Sequence, residues 1–257
     1  MNLSAKTVLV TGSTSGIGLG IIRKFASLGA KVILNSFTNT DEDQELADQI
    51  GKEYGTSAVY LQADLTNANE ARDLVSQSED IDILVNNAGI QFVSPIEDFP
   101  IDKWNEIIAL NLSAAFHTIA MALPAMRTNN WGRIINISSV HGLRASPFKS
   151  AYISAKHGII GLTKTVAMET AETPITCNAI CPGYVMTPMV EEQIADQMKV
   201  HRKDRESIFR DVMLARQPSK QFVSIEQIAD ATVFLCSSAA DQITGTTLSI
   251  DGGWTSL

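Results

Sequence analysis

Seven short runs rich in Val, Ile and Leu recur along the chain, at Thr7–Val10, Lys31–Leu34, Ala58–Gln62, Ile81–Val85, Arg133–Ile137, Ile175–Ile180 and Thr247–Ile250. None alternates apolar with polar residues, so each reads as a strand covered on both faces, the situation of strands in a parallel sheet. Between them lie segments of helical period, such as Ile17, Ile21, Phe25 and Leu28, which Gly29 ends in a left-handed turn. A late helix opens on the capping box Ser224-Ile-Glu-Gln227 and continues through Ile228, Thr232 and Leu235. Strand and helix alternate to the end, which predicts an α/β fold, a doubly wound seven-stranded parallel sheet with helices on both faces. Ligands of such folds bind beyond the C-terminal ends of the strands.

No linker, repeat or low-complexity block divides the chain, so residues 1–257 are expected to form one catalytic domain. The exception to the rhythm is 185–223, which is long, charged and without a strand signal. It is either an exposed helical excursion or, since it follows a strand end, a substrate lid.

Charge narrows the function class. Twenty Lys and Arg against 28 Asp and Glu give a formal net charge of −8, which repels nucleic acid and anionic membranes and favours a small-molecule enzyme. The three cysteines, Cys177, Cys181 and Cys236, form no C-x-x-C pair, so neither a disulfide framework nor a metal site is expected. The first strand begins at Thr7 with no charged-then-apolar leader before it, which predicts a cytoplasmic protein. One uncharged stretch, Ile107–Met126, has the length of a membrane span, but it carries Asn111, Ser113, His117, Thr118 and Pro124. It is read as a helix buried inside the protein or between subunits.

Two motifs carry chemistry. Directly after the first strand comes Thr11-Gly-Ser-Thr-Ser-Gly-Ile-Gly18, whose glycines allow a tight turn and close approach of a pyrophosphate to a helix N-terminus. No Gly-Lys-Ser/Thr follows, which argues against nucleoside triphosphate hydrolysis. The second motif, Tyr152-Ile-Ser-Ala-Lys156, places a phenol and an ammonium at i and i+4 on one helix face. A neighbouring cation favours the phenolate and should lower its pKa, making Tyr152 a candidate acid/base. The pair lies thirteen residues beyond Ser139, where ligand-facing side chains are expected to emerge.

The Thr-Gly-x-x-x-Gly-x-Gly turn, Asn86-Asn-Ala-Gly89, Asn111, Ser139, Tyr-x-x-x-Lys, Pro182-Gly183 and Asp251-Gly-Gly253 together resemble the short-chain dehydrogenase/reductase family over essentially the whole chain. The resemblance implies a Rossmann fold and a nicotinamide dinucleotide. It implies catalytic roles for Tyr152 as proton donor and acceptor, Lys156 as its activator and ribose ligand, Ser139 as orienter of the substrate oxygen, and Asn111 as holder of a relay water. The implied cofactor residues are Gly12, Thr14, Ser15, Gly16, Ile17, Gly18, Phe37, Asp64, Leu65, Asn87, Ala88, Gly89, Tyr152, Lys156, Pro182, Gly183, Val185 and Thr187. The acidic residue that often grips the adenosine ribose is missing from Asn35-Ser-Phe37, and no Lys or Arg replaces it, so NAD is expected over NADP.

Taken alone, Lys149 reads as a solvated loop lysine and His141 as a core or surface histidine. The runs around them, His141-Gly-x-x-Ala-Ser-Pro-Phe-Lys-Ser-Ala-Tyr152 and Cys181-Pro-Gly-Tyr-Val-x-Thr-Pro-x-Val-Glu-x-Gln193, resemble the bacterial D-3-hydroxybutyrate dehydrogenase branch of the family. That resemblance implies a substrate carboxylate held by Gln91, His141, Lys149 and Gln193 beside Ser139 and Tyr152, with Trp254 either lining the pocket or packing the tail. Tyr184 stands where some members carry Trp. The same resemblance implies a homotetramer formed through the uncharged helix and the neighbouring segment Ala151–Ala171. The competing readings are a 3-oxoacyl-carrier-protein reductase, which needs NADPH and a basic docking surface, and a non-catalytic dinucleotide sensor.

Overall fold

A computed structural model of the chain describes residues 3–257 apart from 79, 188, 189, 192, 193, 195–197, 199–201 and 203. Strands β1 (Thr7–Val10), β2 (Lys31–Ser36), β3 (Ala58–Gln62), β4 (Ile83–Asn86), β5 (Gly132–Ile137), β6 (Ile175–Pro182) and β7 (Thr247–Ile250) form one parallel sheet in the order 3-2-1-4-5-6-7. The chain winds outward from β1 in one direction and from β4 in the other. The crevice between their C-terminal ends is therefore the switch point at which such sheets bind ligands.

The lack of alternation has a direct cause. Val8 and Val10 face a core that includes Ile21 and Phe25 of helix α1 (Gly16–Ser27) and Ile228 and Leu235 of the late helix Ile225–Cys236. Leu9, between them, faces a second core with Leu74 of α3 (Ala68–Gln77) and Ile119 and Met126 of α5 (Ala114–Thr128). Both faces of β1 are thus covered, and every residue of the strand is buried. Helix α1 stops where expected: Gly29 has φ +84° and its N–H donates to the Ala26 carbonyl at 2.9 Å. The late helix carries the expected reciprocal bonds between Ser224 and Gln227.

The uncharged stretch belongs to a longer helical run, comprising α4 (Ile101–Ile108), a π-helical turn Ala109–Ser113, and α5. By length and hydropathy Ile101–Thr128 could cross a membrane. Thr118 and Asn111 have partners inside the protein instead, whereas His117 Nδ1 is buried without a hydrogen bond. Thr118 donates to Asn86 Oδ1 at 2.7 Å, Asn86 Nδ2 to Asn136 Oδ1 at 2.9 Å, and Asn136 Nδ2 to Thr163 Oγ1 at 2.8 Å. This buried chain ties β4 and β5 to α5 and to α6 (Ser150–Glu169), and its groups are costly to bury singly but not when paired.

The segment 185–223 is bracketed by a feature absent from its sequence pattern. Val185 and Val223 form an isolated parallel bridge, with Met186 N–H on the Val223 carbonyl at 3.1 Å and Val223 N–H on the Tyr184 carbonyl at 2.8 Å. Within it, Ile194, Ile208 and Met213 form a small apolar cluster with Tyr184, Met186 and Phe222.

All three cysteines are free and buried. Burial pushes the thiols of Cys177 and Cys236 up to about 12 and that of Cys181 up to about 11, from a reference of 9.0. A thiol whose folded pKa is raised contributes stability that is complete below the unfolded value and is lost as pH rises towards the folded one. Resistance to urea should therefore fall between about pH 9 and 11, and Cys236→Ala should flatten that decline. An equally steep decline in the variant would remove this thiol as its cause.

Candidate active site

The switch-point crevice begins with the glycine turn after β1. A Cβ at Gly12, where φ is +59°, would lie 2.9 Å from Ala88 Cα, and one at Gly18 would lie 2.5 Å from the Gly12 carbonyl and 2.8 Å from Ser13 Cα. Only glycine lets the turn close on itself and on the end of β4. Asn87 holds that closure, its amide donating to the carbonyls of Thr11 and Gly12 at 2.9 and 2.8 Å, while Thr11 Oγ1 accepts from the N–H groups of Asn87 and Ala88. Helix α1 begins at Gly16 after Ser15, whose side chain does not cap it, in contrast to the capping box of α2 (Asp41–Tyr54). Thr14, Ser15, Gly16, Ile17 and Gly18 therefore offer a tight backbone cradle at a helix N-terminus, which fits the pyrophosphate of a dinucleotide.

The other expected cofactor residues surround this turn. Thr187 Cγ2 lies 3.9 Å from where a Gly16 Cβ would be, so β6 and its sequel Pro182, Gly183 and Val185 lead back over the turn. Gly89 sits against Asn111, with a Cβ position 3.3 Å from Asn111 Oδ1. At the end of β2, Phe37 is 72% exposed. At the end of β3, Leu65 is buried and Asp64 accepts from Thr66 N–H and Oγ1 at 2.9 and 2.8 Å. Asn35, which sequence reasoning passed over, is buried and fully engaged: Oδ1 accepts from Gly12 N–H at 3.3 Å and Nδ2 donates to the Leu61 carbonyl at 3.1 Å.

Ser139, Tyr152 and Lys156 come together beyond β5. Ser139 caps the short turn Val140–Gly142, its Oγ accepting from His141 N–H at 3.1 Å. Lys156 is buried, and its Nζ donates to the Ile137 carbonyl at 2.8 Å and stands 5.7 Å from the Tyr152 ring centroid. Burial lowers the Lys156 pKa to about 8. The Tyr152 phenol is moved in the direction opposite to that expected from its spacing to Lys156. Burial raises it, and the hydrogen bond from Ser139 is the opposing, lowering influence. The physical reason is that desolvation of a phenolate outweighs the hydrogen bond from Ser139, while the Lys156 ammonium is turned to a backbone carbonyl.

Asn111 lies in the π-helical turn, and its amide is paired with both backbone groups of Ile90, accepting from N–H and donating to C=O at 2.9 Å each. It thereby fixes the loop after β4 that carries Gln91, an exposed residue.

The substrate side of the crevice is built on His141. Its ring meets Tyr152 edge-on at 6.2 Å and Trp254 edge-on at 5.6 Å, and Trp254 stacks on Tyr184 at 5.7 Å. Lys149 Nζ is 3.5 Å from His141 Nε2, so the ammonium donates, Nε2 accepts, and the hydrogen-bond network assigns the ring proton to Nδ1. Burial, reinforced by Lys149 and Arg216, lowers the His141 pKa to about 4, which keeps the imidazole neutral. Nδ1 is buried without a hydrogen bond of normal geometry, although the Arg144 backbone pulls the pKa the other way. Lys149 is lowered first by burial and then by Arg216, and among the described residues no carboxylate pairs with it. Gln193 lies outside the described residues.

The sequence profile of the short chain dehydrogenase family matches residues 6–198. A D-beta-hydroxybutyrate dehydrogenase of Rhizobium meliloti is 52% identical over 254 residues, covering 97% of this chain and 98% of the relative. One of Cupriavidus necator is 48% identical over 256 residues, covering 98% of each chain. A solved variant of actinorhodin polyketide ketoreductase with NADPH superposes with a TM-score of 0.89 at 30% identity, covering all of both chains. By that profile and those identities over nearly its whole length, the chain belongs to the short-chain dehydrogenase family of oxidoreductases, which use nicotinamide dinucleotides.

Proposed function

We propose that the protein is an NAD-dependent dehydrogenase that interconverts D-3-hydroxybutyrate and acetoacetate, with Tyr152 as the general acid/base. The observation that carries this reading is the Lys149 ammonium, which pairs with no carboxylate among the described residues and lies 3.5 Å from a neutral, buried His141 that itself stands edge-on to Tyr152. A cation and a neutral imidazole beside the proton-transferring phenol suit a substrate whose carboxylate lies a short distance from its reacting hydroxyl. Trp254 and Tyr184 close the apolar side and restrict the chain length. The relatives from Rhizobium meliloti and Cupriavidus necator support the same substrate class.

On oxidation, Tyr152 takes the hydroxyl proton while Ser139 orients the oxygen. The nicotinamide, when bound, supplies the hydride-accepting carbon. Lys156 holds positive charge beside the phenol, and Asn111, in an irregular turn of its helix, is assigned the relay water. Gln91 and Gln193 complete the carboxylate's contacts, the latter carried over the site by a lid at 185–223 hinged at the Val185–Val223 bridge. Residues 1–257 then act as one catalytic domain. Exposed Ile101, Phe116 and Met168 on α4, α5 and α6 support burial of these helices in a homotetramer, and three free thiols suit the cytoplasm.

The preference for NAD rests on charge. No Lys or Arg occurs between Lys31 and Lys52, while α2 opens on Asp41, Glu42 and Asp43. Thr14 of the glycine turn and Glu42, Asp43 and Glu45 of α2 line a common cavity of about 390 Å³. A 2′-phosphate entering there would meet carboxylates instead of cations. The competing carrier-protein reductase requires the opposite charge at this place.

Initial rates with NAD and NADP, each with D- and L-3-hydroxybutyrate, test the proposal. The D-isomer with NAD should be the efficient pair, with NAD favoured by at least about tenfold in kcat/KM. Equal efficiency with NADP would overturn the cofactor assignment, and no turnover of either isomer would overturn the substrate.

A further inference from the structure

Arg216 stands at the foot of the 185–223 segment, on a corner that is held from both sides. The fully buried Gln217 accepts from Tyr184 N–H at 3.2 Å and donates to the Gln221 carbonyl, and Lys220 Nζ donates to the carbonyls of Leu214 and Ala215 at 2.8 Å each. From this corner the Arg216 guanidinium reaches Ser146 Oγ at 3.3 Å and faces the Ala145 carbonyl at 3.5 Å. Those two residues belong to the loop between Ser139 and Tyr152 that carries Lys149. Other contacts pin the same loop: Arg144 donates to the carbonyl oxygens of Thr255 and Leu257 at 2.5 and 3.2 Å, and Ser94 N–H donates to the Phe148 carbonyl at 2.9 Å.

The guanidinium is thus fixed three residues from Lys149, whose Nζ is 3.5 Å from His141 Nε2, and the His141 ring leads through Trp254 to Tyr184. The Arg216 charge opposes protonation of both His141 and Lys149 and favours the anionic form of Tyr184, three groups on different elements that all face the crevice. Among the described residues Lys149 and Arg216 have no carboxylate partner and His141 Nδ1 has no hydrogen bond of normal geometry, and an anion placed among them would offset the charge that opposes protonation of His141 and Lys149.

We propose that Arg216 is a second cation of the substrate's anion subsite, a specificity residue that fixes the Lys149 loop and adds a positive charge of its own. This rests on the reading of the substrate as a small hydroxy carboxylate. It explains why the foot of the segment is so firmly held: a mobile arginine would neither anchor the loop nor keep its charge in place.

Arg216→Gln and Arg216→Lys provide the test, using the dinucleotide-loaded enzyme. Arg216→Gln should raise KM for D-3-hydroxybutyrate by about five- to tenfold with kcat within about twofold, and leave the methyl ester unaffected. Acetate, titrated calorimetrically, should bind more weakly by about the same factor, and Arg216→Lys should restore both to within about twofold. Because the guanidinium is exposed, the effect on the acid should shrink in about 0.5 M salt. Equal losses on acid and ester, or unchanged acetate binding, would overturn the assignment and leave only a loop-holding role. If the unmodified enzyme does not oxidise 3-hydroxybutyrate, the functional reading falls while the acetate titration still decides the place of Arg216.

Discussion

Replacing Tyr152 by Phe should lower kcat by about a thousandfold, within the range of about 10²–10⁴ for a positioned acid/base, while the dissociation constant for the dinucleotide changes by less than about threefold. The substitution removes one oxygen and keeps the ring that packs edge-on against His141 at 6.2 Å, so the fold of the crevice is retained. The effect is large because nothing nearby can substitute for the phenol. Ser139 Oγ accepts from His141 N–H and gives its own hydrogen to the phenol, Lys156 donates to the Ile137 carbonyl, and His141 is held neutral with a pKa lowered by burial to about 4. Steady-state rates and fluorescence titration of NADH measure the two quantities separately. A variant that keeps near-normal turnover would remove Tyr152 from the proton transfer. The pH dependence has a definite sign: Lys156, lowered by burial to about 8, carries its charge below that pH and loses it above, so its support of the phenolate weakens as pH rises.

Fold and site were legible in the sequence to different depths. The inner strands could be read because they are packed on both faces, as Val8 and Val10 are against one core and Leu9 against the other, which writes a local, uninterrupted apolar run. The edge strands β3 and β7, where Val59 and Ser249 are exposed, are only partly covered. The glycine turn could be read because its geometry admits no Cβ at Gly12 or Gly18, a constraint that also acts locally. The shift at β4, expected at Ile81 and found at Ile83, has a similar explanation. Ile81 is buried like a strand residue, but Asp82 turns its carboxylate to Lys6 and to Thr7 N–H before the ladder begins.

What sequence could not reveal depends on contacts between distant positions. The Asn35 amide is used up by Gly12 and Leu61, 23 and 26 residues away, so its identity says nothing about the ribose. Arg216 meets Ser146 across 70 residues, and no local pattern separates it from the other arginines of a charged segment. The direction of the Tyr152 shift was missed for a related reason. Spacing places Lys156 one helical turn away, but the depth of burial and the Ile137 carbonyl that engages the ammonium are properties of the packed sheet.

Lys149→Ala should reduce kcat/KM for D-3-hydroxybutyrate by about ten- to a hundredfold, since a hydrogen bond to a charged group contributes about 1.5–3 kcal/mol. The lysine is placed for this by its environment. It is partly buried, lies 3.5 Å from His141 Nε2, and has no carboxylate partner among the described residues, so the strongest available counter-charge is the substrate's own. An uncharged 3-hydroxy ester lacks that counter-charge, and its kcat/KM should change by less than about threefold. His141→Ala should show the same selectivity in weaker form, because a neutral imidazole binds a carboxylate less strongly than an ammonium does. Removing Lys149 also relieves one cause of the depressed His141 pKa, so in the Lys149→Ala variant the imidazole should gain a proton at a higher pH. Burial, the larger cause, and Arg216 remain, so that protonation still lies below neutral pH, and an NMR titration of the imidazole reads the change. Equal losses on acid and ester at every pH would mean that Lys149 serves Tyr152 or the loop itself, and the hydroxy-acid reading would lose the contact on which it most depends.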